Sequence, residues 1–261
     1  MKITIGTNYF NTYDRQTRAQ ECLRELKRRH SEISLYDVQF MDDFSGLIDD
    51  FKTLPVLTRS SRDVTDGKKK LPFVNDIFNV LSETDADYFV FTNSDILITE
   101  PLITKILSEQ IKATPCNRLD IYPLKSLTSE IIPYRWEIGG FDTFVFNNNW
   151  YKANKHHFED FLMGSVWFDH HYAGIMKKLT NDPLQNTFPP SILHEMHNKN
   201  WSFDDVESKF NAKQYENSKY KHLSKVWDDY FAQYLKNSRQ NGFVLIPEDH
   251  EKLLEKDFFK T

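Results

Sequence analysis

The sequence predicts an α/β protein, a mostly parallel sheet flanked by helices, with a helical C-terminal tail. Three observations predict it. Within residues 2–40 a β-branched run, a helical stretch and a second β-rich run follow one another, the order that builds a parallel sheet. Tyr88–Thr92 (YFVFT) is a near-continuous apolar run, as expected of a strand buried on both faces. Polar residues follow at Gly6–Asn8 and Asn93–Asp95, and ligands of open parallel sheets collect beyond the carboxyl ends of the strands.

Taken in order, KITI (2–5) reads as a first strand ending at Gly6. Over 15–30, Ala19, Cys22, Leu23 and Leu26 fall at helical spacing with Arg and Lys opposite. ISLYDVQF (33–40) is a second strand. Residues 41–70 are polar and predict irregular chain. Pro72 then opens a helix that places Phe73, Ile77, Phe78 and Leu81 on one face. A helix over 99–112, strands over 119–124 and 140–147, and helices over 150–162 and 168–179 follow. Residues 183–203, rich in Pro, His and Asn, read as irregular. In the charged and aromatic tail, 204–261, Trp227, Tyr230, Phe231 and Tyr234 repeat at i, i+3, i+4, i+7. That is an amphipathic helix packing on its own domain or on a second subunit. The expected division is a catalytic-type domain over 1–203 and a helical extension over 204–261.

Composition narrows the classes. Hydrophobic residues at 39% and aromatics at 15% support a core and argue against disorder along the whole chain. Eight glycines and ten prolines exclude a collagen-like repeat. The net charge of −5 argues against a nucleic-acid partner. Cys22 and Cys116 alone make neither a disulfide scaffold nor a cysteine zinc site. The start of the chain lacks the apolar run of a signal peptide. No stretch of 18 apolar residues predicts a transmembrane helix. A cytoplasmic location is expected, which leaves room for membrane contact through a partner.

Five segments carry candidate chemistry. YFVFTNSDI places Asn93 and Asp95 two residues apart, so both side chains leave an extended chain on one side. A carboxylate there suits a hard divalent cation, and the same residues suit an Asx-type turn. TRSSRDVTDGKKK gathers Arg59, Arg62 and Lys70 before a helix start, where an anion is favoured. It reads equally as a solvated loop. In GGFDTFVF, Asp142 interrupts an apolar strand, which strand propensity disfavours, so it faces a ligand or an edge. Asp169, near a helix start, suits either a cap or a general base. His194 and His197 in LHEMH lie three apart, not the four of the zinc-peptidase motif. Each can serve as a structural histidine or a metal ligand.

Together, KITIGTN, the basic segment running into KLPFVNDIF, YFVFTNSDI, GGFDTFVF, WFDHH and HEMHNKNWSF resemble, in order, the GT-A-fold glycosyltransferases of the nucleotide-diphospho-sugar transferase-like family. The resemblance covers residues 1–203. It implies a GT-A-like, Rossmann-like fold and transfer of a sugar from a nucleotide-diphospho-sugar to a glycan or other hydroxyl acceptor, a step in polysaccharide biosynthesis. NSD would stand in the place of the DXD motif. Asp95 would hold Mn2+ or Mg2+, with His197 or His194 supplying a second ligand. Asn93, in place of the first aspartate, would face the ribose or the metal. Thr7 and Asn8 would lie by the base or ribose. Arg59, Arg62 and Lys70 would lie by the diphosphate, and Asp142 in the acceptor cleft. Asp169 would be the base if the transfer inverts. A sugar nucleotidyltransferase is disfavoured by the single glycine after the first strand. A non-catalytic carbohydrate- or partner-binding protein of the same fold remains the main alternative. A histidine-based metal hydrolase lacks a convincing ligand spacing.

Overall fold

The computed structural model describes residues 1–9, 13–43, 46–180, 191–197 and 201–225. The expected amphipathic helix over 227–234 lies outside the described residues.

Fourteen elements carry the description: β1 (Ile3–Thr7), α1 (Asp14–Arg29), β2 (Ile33–Phe40), β3 (Phe51–Leu57), α2 (Val74–Ser82), β4 (Tyr88–Thr92), β5 (Ile96–Ile98), α3 (Glu100–Ser108), β6 (Ala113–Ile121), β7 (Pro133–Asn147), α4 (Asn148–Asn154), α5 (Phe168–Thr180), β8 (Ile192–Glu195) and α6 (Val206–Asn217). The strands form one sheet in the order β3-β2-β1-β4-β7-β6-β8-β5. β3, β2, β1 and β4 are mutually parallel. β7 runs antiparallel to both β4 and β6, β6 and β8 are parallel, and β5 and β8 antiparallel. The class expected from sequence, a mostly parallel α/β sheet flanked by helices, is met, with four parallel and three antiparallel pairings among the described strands.

The helices sit where their apolar faces demand. α1 buries Ala19, Leu23 and Leu26 against the sheet, and α2 buries Val74, Ile77, Phe78 and Leu81. Phe78 is ringed by Phe89, Phe91, Phe144, Phe146, Tyr151, Phe158 and Tyr172. Truncating such a side chain costs about 3–5 kcal/mol. Gly6 lies inside β1 rather than ending it. A Cβ there would meet Leu81 Cδ2 at 2.5 Å, so glycine lets α2 pack close on the strand.

Several expectations are corrected. Residues 51–57 are a strand, not irregular chain. Among the described strands β3 is outermost and pairs with β2 alone, and it carries Pro55, which an edge strand tolerates. Residues 192–195 likewise form β8, all four buried. The strand expected at 119–124 spans 113–121, and that at 140–147 starts at 133. The helix expected over 150–162 ends at Asn154, followed by a single 3-10 turn at Lys155–His157.

α6 packs against the chain between α4 and α5. Asn211 accepts from Leu162 N at 2.8 Å and donates to the carbonyls of Leu162 at 3.0 Å and Val166 at 2.9 Å. The ring of Tyr215 stacks on Trp167 at 4.7 Å.

Candidate functional site

The sheet register builds a cluster at the carboxyl end of β4. Asp95 directly precedes β5, whose Ile96 pairs with His194 on β8. On its other side, His194 pairs with Asp120 on β6. The chain just beyond β8 brings back His197. One carboxylate and two imidazoles thereby converge: Asp95 Oδ2 lies 3.0 Å from His197 Nε2 and 3.9 Å from His194 Nε2, and the two Nε2 atoms are 3.1 Å apart. The three donor atoms lie within 4.8 Å of one another.

This set fits a divalent cation. Ligands at bonds of about 2.1 Å in an octahedral shell stand about 3.0 Å from one another, close to two of the three separations. His194 Nδ1 lies 2.9 Å from Asp120 Oδ1, so the proton sits on Nδ1 and the Nε2 lone pair faces the other donors. A carboxylate behind a histidine is the usual support of a metal ligand. Burial pushes the Asp95 carboxyl up, but the bonds and charges of His197, His194 and Arg15 outweigh it. They hold the carboxyl well below the usual carboxylate range. Asp95 therefore presents a charged oxygen throughout the neutral range.

α1 fastens the segments that carry these groups. Arg15 Nε donates to Asp95 Oδ2 at 3.1 Å, and Gln16 Nε2 to Ser94 Oγ at 2.7 Å. Arg18 grips Glu195 with two bonds of 2.7 Å, and a second bond to Glu195 Oε2 comes from Leu124 N at 3.0 Å. Glu195 is 2% exposed. Such a pair contributes geometry more than net stability.

Asp142 and Asn93 form a second group. The β6–β7 register runs Cys116↔Thr143 and then Asn117↔Phe141, which leaves Asp142 as an unpaired bulge residue. A bulge re-aims a side chain, and this explains an aspartate inside an apolar strand. Its carboxylate accepts from Asn93 Nδ2 on one oxygen and from Arg118 Nη1 on the other. Arg118 Nε also donates to Asp120 Oδ1 at 2.9 Å. One continuous polar chain thus joins Asn93, Asp142, Arg118, Asp120, His194, Asp95 and Arg15.

Asp169 lies beside it. Phe141 N points at Asp169 Oδ2 across 3.4 Å, and His170 Nε2 lies 3.6 Å from the same oxygen. Burial raises the Asp169 carboxyl and the Asp142 charge adds to the rise, while His170 opposes it. Trp167, just before α5, has φ +77°. That conformation is unfavourable for a bulky residue, costing about 1–3 kcal/mol. The stack on Tyr215 holds Trp167 in place and fixes where the first turn carrying Asp169 begins.

At the ends of β1 and β2, Thr7, Asn8, Tyr9 and Asp37 are buried. Asn8 Nδ2 donates to Val38 O at 2.7 Å. Among the described residues, Thr7 Oγ1, Asn8 Oδ1, Tyr9 OH, Asp37 Oδ2 and Asn93 Oδ1 have no hydrogen-bond partner. Buried polar atoms are rarely left so. Burial raises the Asp37 carboxyl to about 6, against the bonds from Tyr9 N and Gln39 Nε2.

The basic residues of 58–70 are engaged elsewhere. Arg59 bonds Asp76 at 2.6 and 3.0 Å and Asp160 at 2.8 Å, and its guanidinium lies over the Phe73 ring. Arg62 Nη2 donates to Lys68 O at 3.0 Å. Lys70 Nζ lies 2.7 Å from Asp42 Oδ1 and 4.5 Å from the Phe40 ring centre. Among the described residues none of the three bonds to the Asp95 cluster. Sequence reasoning missed Arg15, Arg118, Asp120 and Asp37. The one signal available was Arg118 and Asp120 alternating around Leu119 in a strand, a charged pair facing one side.

No family model matches the chain, and no curated protein matches it. Among solved structures, S. aureus TarS (residues 1–349) in complex with UDP-GlcNAc is 13% identical, covering 96% of this chain and 78% of that one, with a TM-score of 0.45. The glycosyltransferase GlyE of Streptococcus pneumoniae TIGR4 is 12% identical over 89% of this chain and 63% of that one, at 0.35. The galactosyltransferase LgtC in complex with donor and acceptor sugar analogs is 11% identical over 97% and 99%, also at 0.35. None of these scores reaches 0.5. Among the described residues no helix is long and apolar enough to cross a membrane.

Proposed function

We propose that the chain is a glycosyltransferase that moves a sugar from a nucleotide-diphospho-sugar to a hydroxyl acceptor such as a glycan. The observation that carries this is the convergence of Asp95, His194 and His197 on one point beyond the central strands. These three residues would hold the divalent cation. Two imidazoles suit manganese better than magnesium, which prefers oxygen ligands. When bound, the ion would neutralise charge on the leaving diphosphate.

The chain's own residues supply the rest. The oxygens of Thr7, Asn8 and Asn93 that lack a partner among the described residues are acceptors for ribose hydroxyls or base N–H groups. Asp142 holds Asn93 in place for that contact. Asp169 takes the proton of the acceptor hydroxyl as its oxygen bonds to the anomeric carbon, and the bond from that carbon to the phosphate oxygen breaks. A carboxyl raised by burial is a better base than an ordinary one. A single displacement of this kind inverts the anomeric centre.

The test is release of nucleoside diphosphate from UDP-, GDP- and TDP-sugars, with and without manganese. One donor class should turn over with manganese. Asp95→Ala should cut that rate by about 10²–10³ or more, the scale of losing one electrostatic stabiliser, while the circular dichroism is kept. Near-normal turnover by Asp95→Ala would contradict the assignment. Donor binding with no release would favour a non-catalytic sugar- or partner-binding protein.

A further inference from the structure

Asp95 Oδ2 serves two masters. It faces His197 Nε2 at 3.0 Å and accepts from Arg15 Nε at 3.1 Å. An ion among the three donors would take the lone pair at which Arg15 now points, and would set a double positive charge beside the guanidinium. We propose that Arg15 is an internal cation that competes with the divalent ion for Asp95 and, once displaced, pairs with the nucleoside diphosphate, so that ion and diphosphate bind cooperatively. Because the ion and the diphosphate belong to the function proposed above, the inference rests on that reading.

Arg15 is placed for such an exchange and its neighbour Arg18 is not. Arg18 holds the buried Glu195 with two bonds in a fork geometry. Among the described residues, the Arg15 side chain makes a single hydrogen bond, to the Asp95 oxygen that His197 Nε2 also faces. Its side chain is 18% exposed. In the same conformation its guanidinium carbon lies 4.6 Å from the Tyr13 ring centre, a contact that a small displacement of Nε from Asp95 need not break. Arg15 stands in the first turn of α1, between β1 and the cluster at the end of β4. An anion arriving with the ion gives the displaced guanidinium a new partner with a bidentate fit. Each ligand then tightens the other by the same factor.

The test is a manganese titration followed by electron paramagnetic resonance, alone and with UDP or GDP. It compares the wild-type chain with Arg15→Gln, Arg15→Met and the charge-keeping Arg15→Lys. Thermal melting confirms that each variant folds. The neutral variants should bind manganese alone about tenfold tighter, the scale of one charge-assisted bond. The nucleotide should tighten manganese less in them than in wild type, and Arg15→Lys should stay near wild type. Unchanged or weaker manganese binding in folded Arg15→Gln and Arg15→Met would overturn the role of Arg15 alone. No manganese binding by any of the proteins, with or without nucleotide, would overturn both this role and the metal site.

Discussion

Asp120 stands directly behind His194: the two are register partners on β6 and β8, with Nδ1 of the histidine 2.9 Å from a carboxylate oxygen. Burial pushes the Asp120 carboxyl up, yet His194 and Arg118 outweigh it and hold it down. The carboxylate therefore stays charged and keeps the imidazole proton on Nδ1. Asp120→Asn should weaken manganese binding by about 10–100-fold, as loss of a supporting carboxylate does. Titration calorimetry with manganese reads this directly.

Asp169 separates a chemical role from a structural one. Its raised carboxyl means that ionisation costs the folded state free energy, so stability falls as the pH rises through the folded pKa and is unaffected below the ordinary aspartate range. Asp169→Asn removes that cost and keeps an acceptor for Phe141 N. Turnover should drop by about 10²–10⁴, the span of general-base catalysis, with donor affinity nearly unchanged and no fall in Tm at pH 8. The wild-type rate should rise with pH as the Asp169 carboxylate forms, and that rise should be absent in Asp169→Asn. A lower Tm with an unchanged rate would make Asp169 only a helix-start residue.

Arg59 is a staple between α2 and the chain after α4. Its fork holds Asp76 and Asp160, and Asp160 also accepts from Asn75 Nδ2 at 2.6 Å. The guanidinium is 44% exposed, and screening by water limits the worth of each pair. Arg59→Ala should cost about 1–2 kcal/mol in urea unfolding and leave the donor KM unchanged. A raised KM at constant stability would return Arg59 to the diphosphate.

The fold was largely legible where a single segment carries its own signal. β2 and β4 match their expected spans residue for residue, because Ile33, Leu35, Val38 and Phe40 in the one and the apolar run Tyr88–Phe91 in the other carry the strand signal within their own segments. β3 was not legible, since an edge strand exposes Lys52 and Val56 and carries Pro55. β5 has three residues, too few for periodicity. The site divides the same way. Asn93, Asp95, His194 and His197 stand in motifs that can be seen locally. Arg15, Asp120 and Arg118 gain meaning only when the fold joins segments 24 to 80 residues apart. The bulge that aims Asp142 is a property of two strands, invisible in one.

Asp37 offers a pH test at the other end of the site. Its carboxyl sits at about 6 in the fold, against about 4 when exposed. Below pH 4 both states hold the proton. Between pH 4 and 6 the unfolded chain ionises first, so stability falls as the pH rises, by about 3 kcal/mol in all. Asp37→Asn keeps the oxygen that accepts from Tyr9 N and Gln39 Nε2. It should stabilise the protein by about 1–3 kcal/mol at pH 7.5 and have no effect near pH 4. Urea unfolding at the two pH values checks it.

The central claim is that Asp95, His194 and His197 join a divalent ion to a nucleotide donor. The most direct measurement is a thermal-shift screen with UDP, GDP, CMP, TDP and ADP, each with and without manganese, since a ligand of the native state raises Tm by mass action. A shift with one nucleotide that requires manganese, and that is lost in Asp95→Ala, is the predicted result. No shift with any nucleotide, or a shift indifferent to both manganese and Asp95, would contradict it.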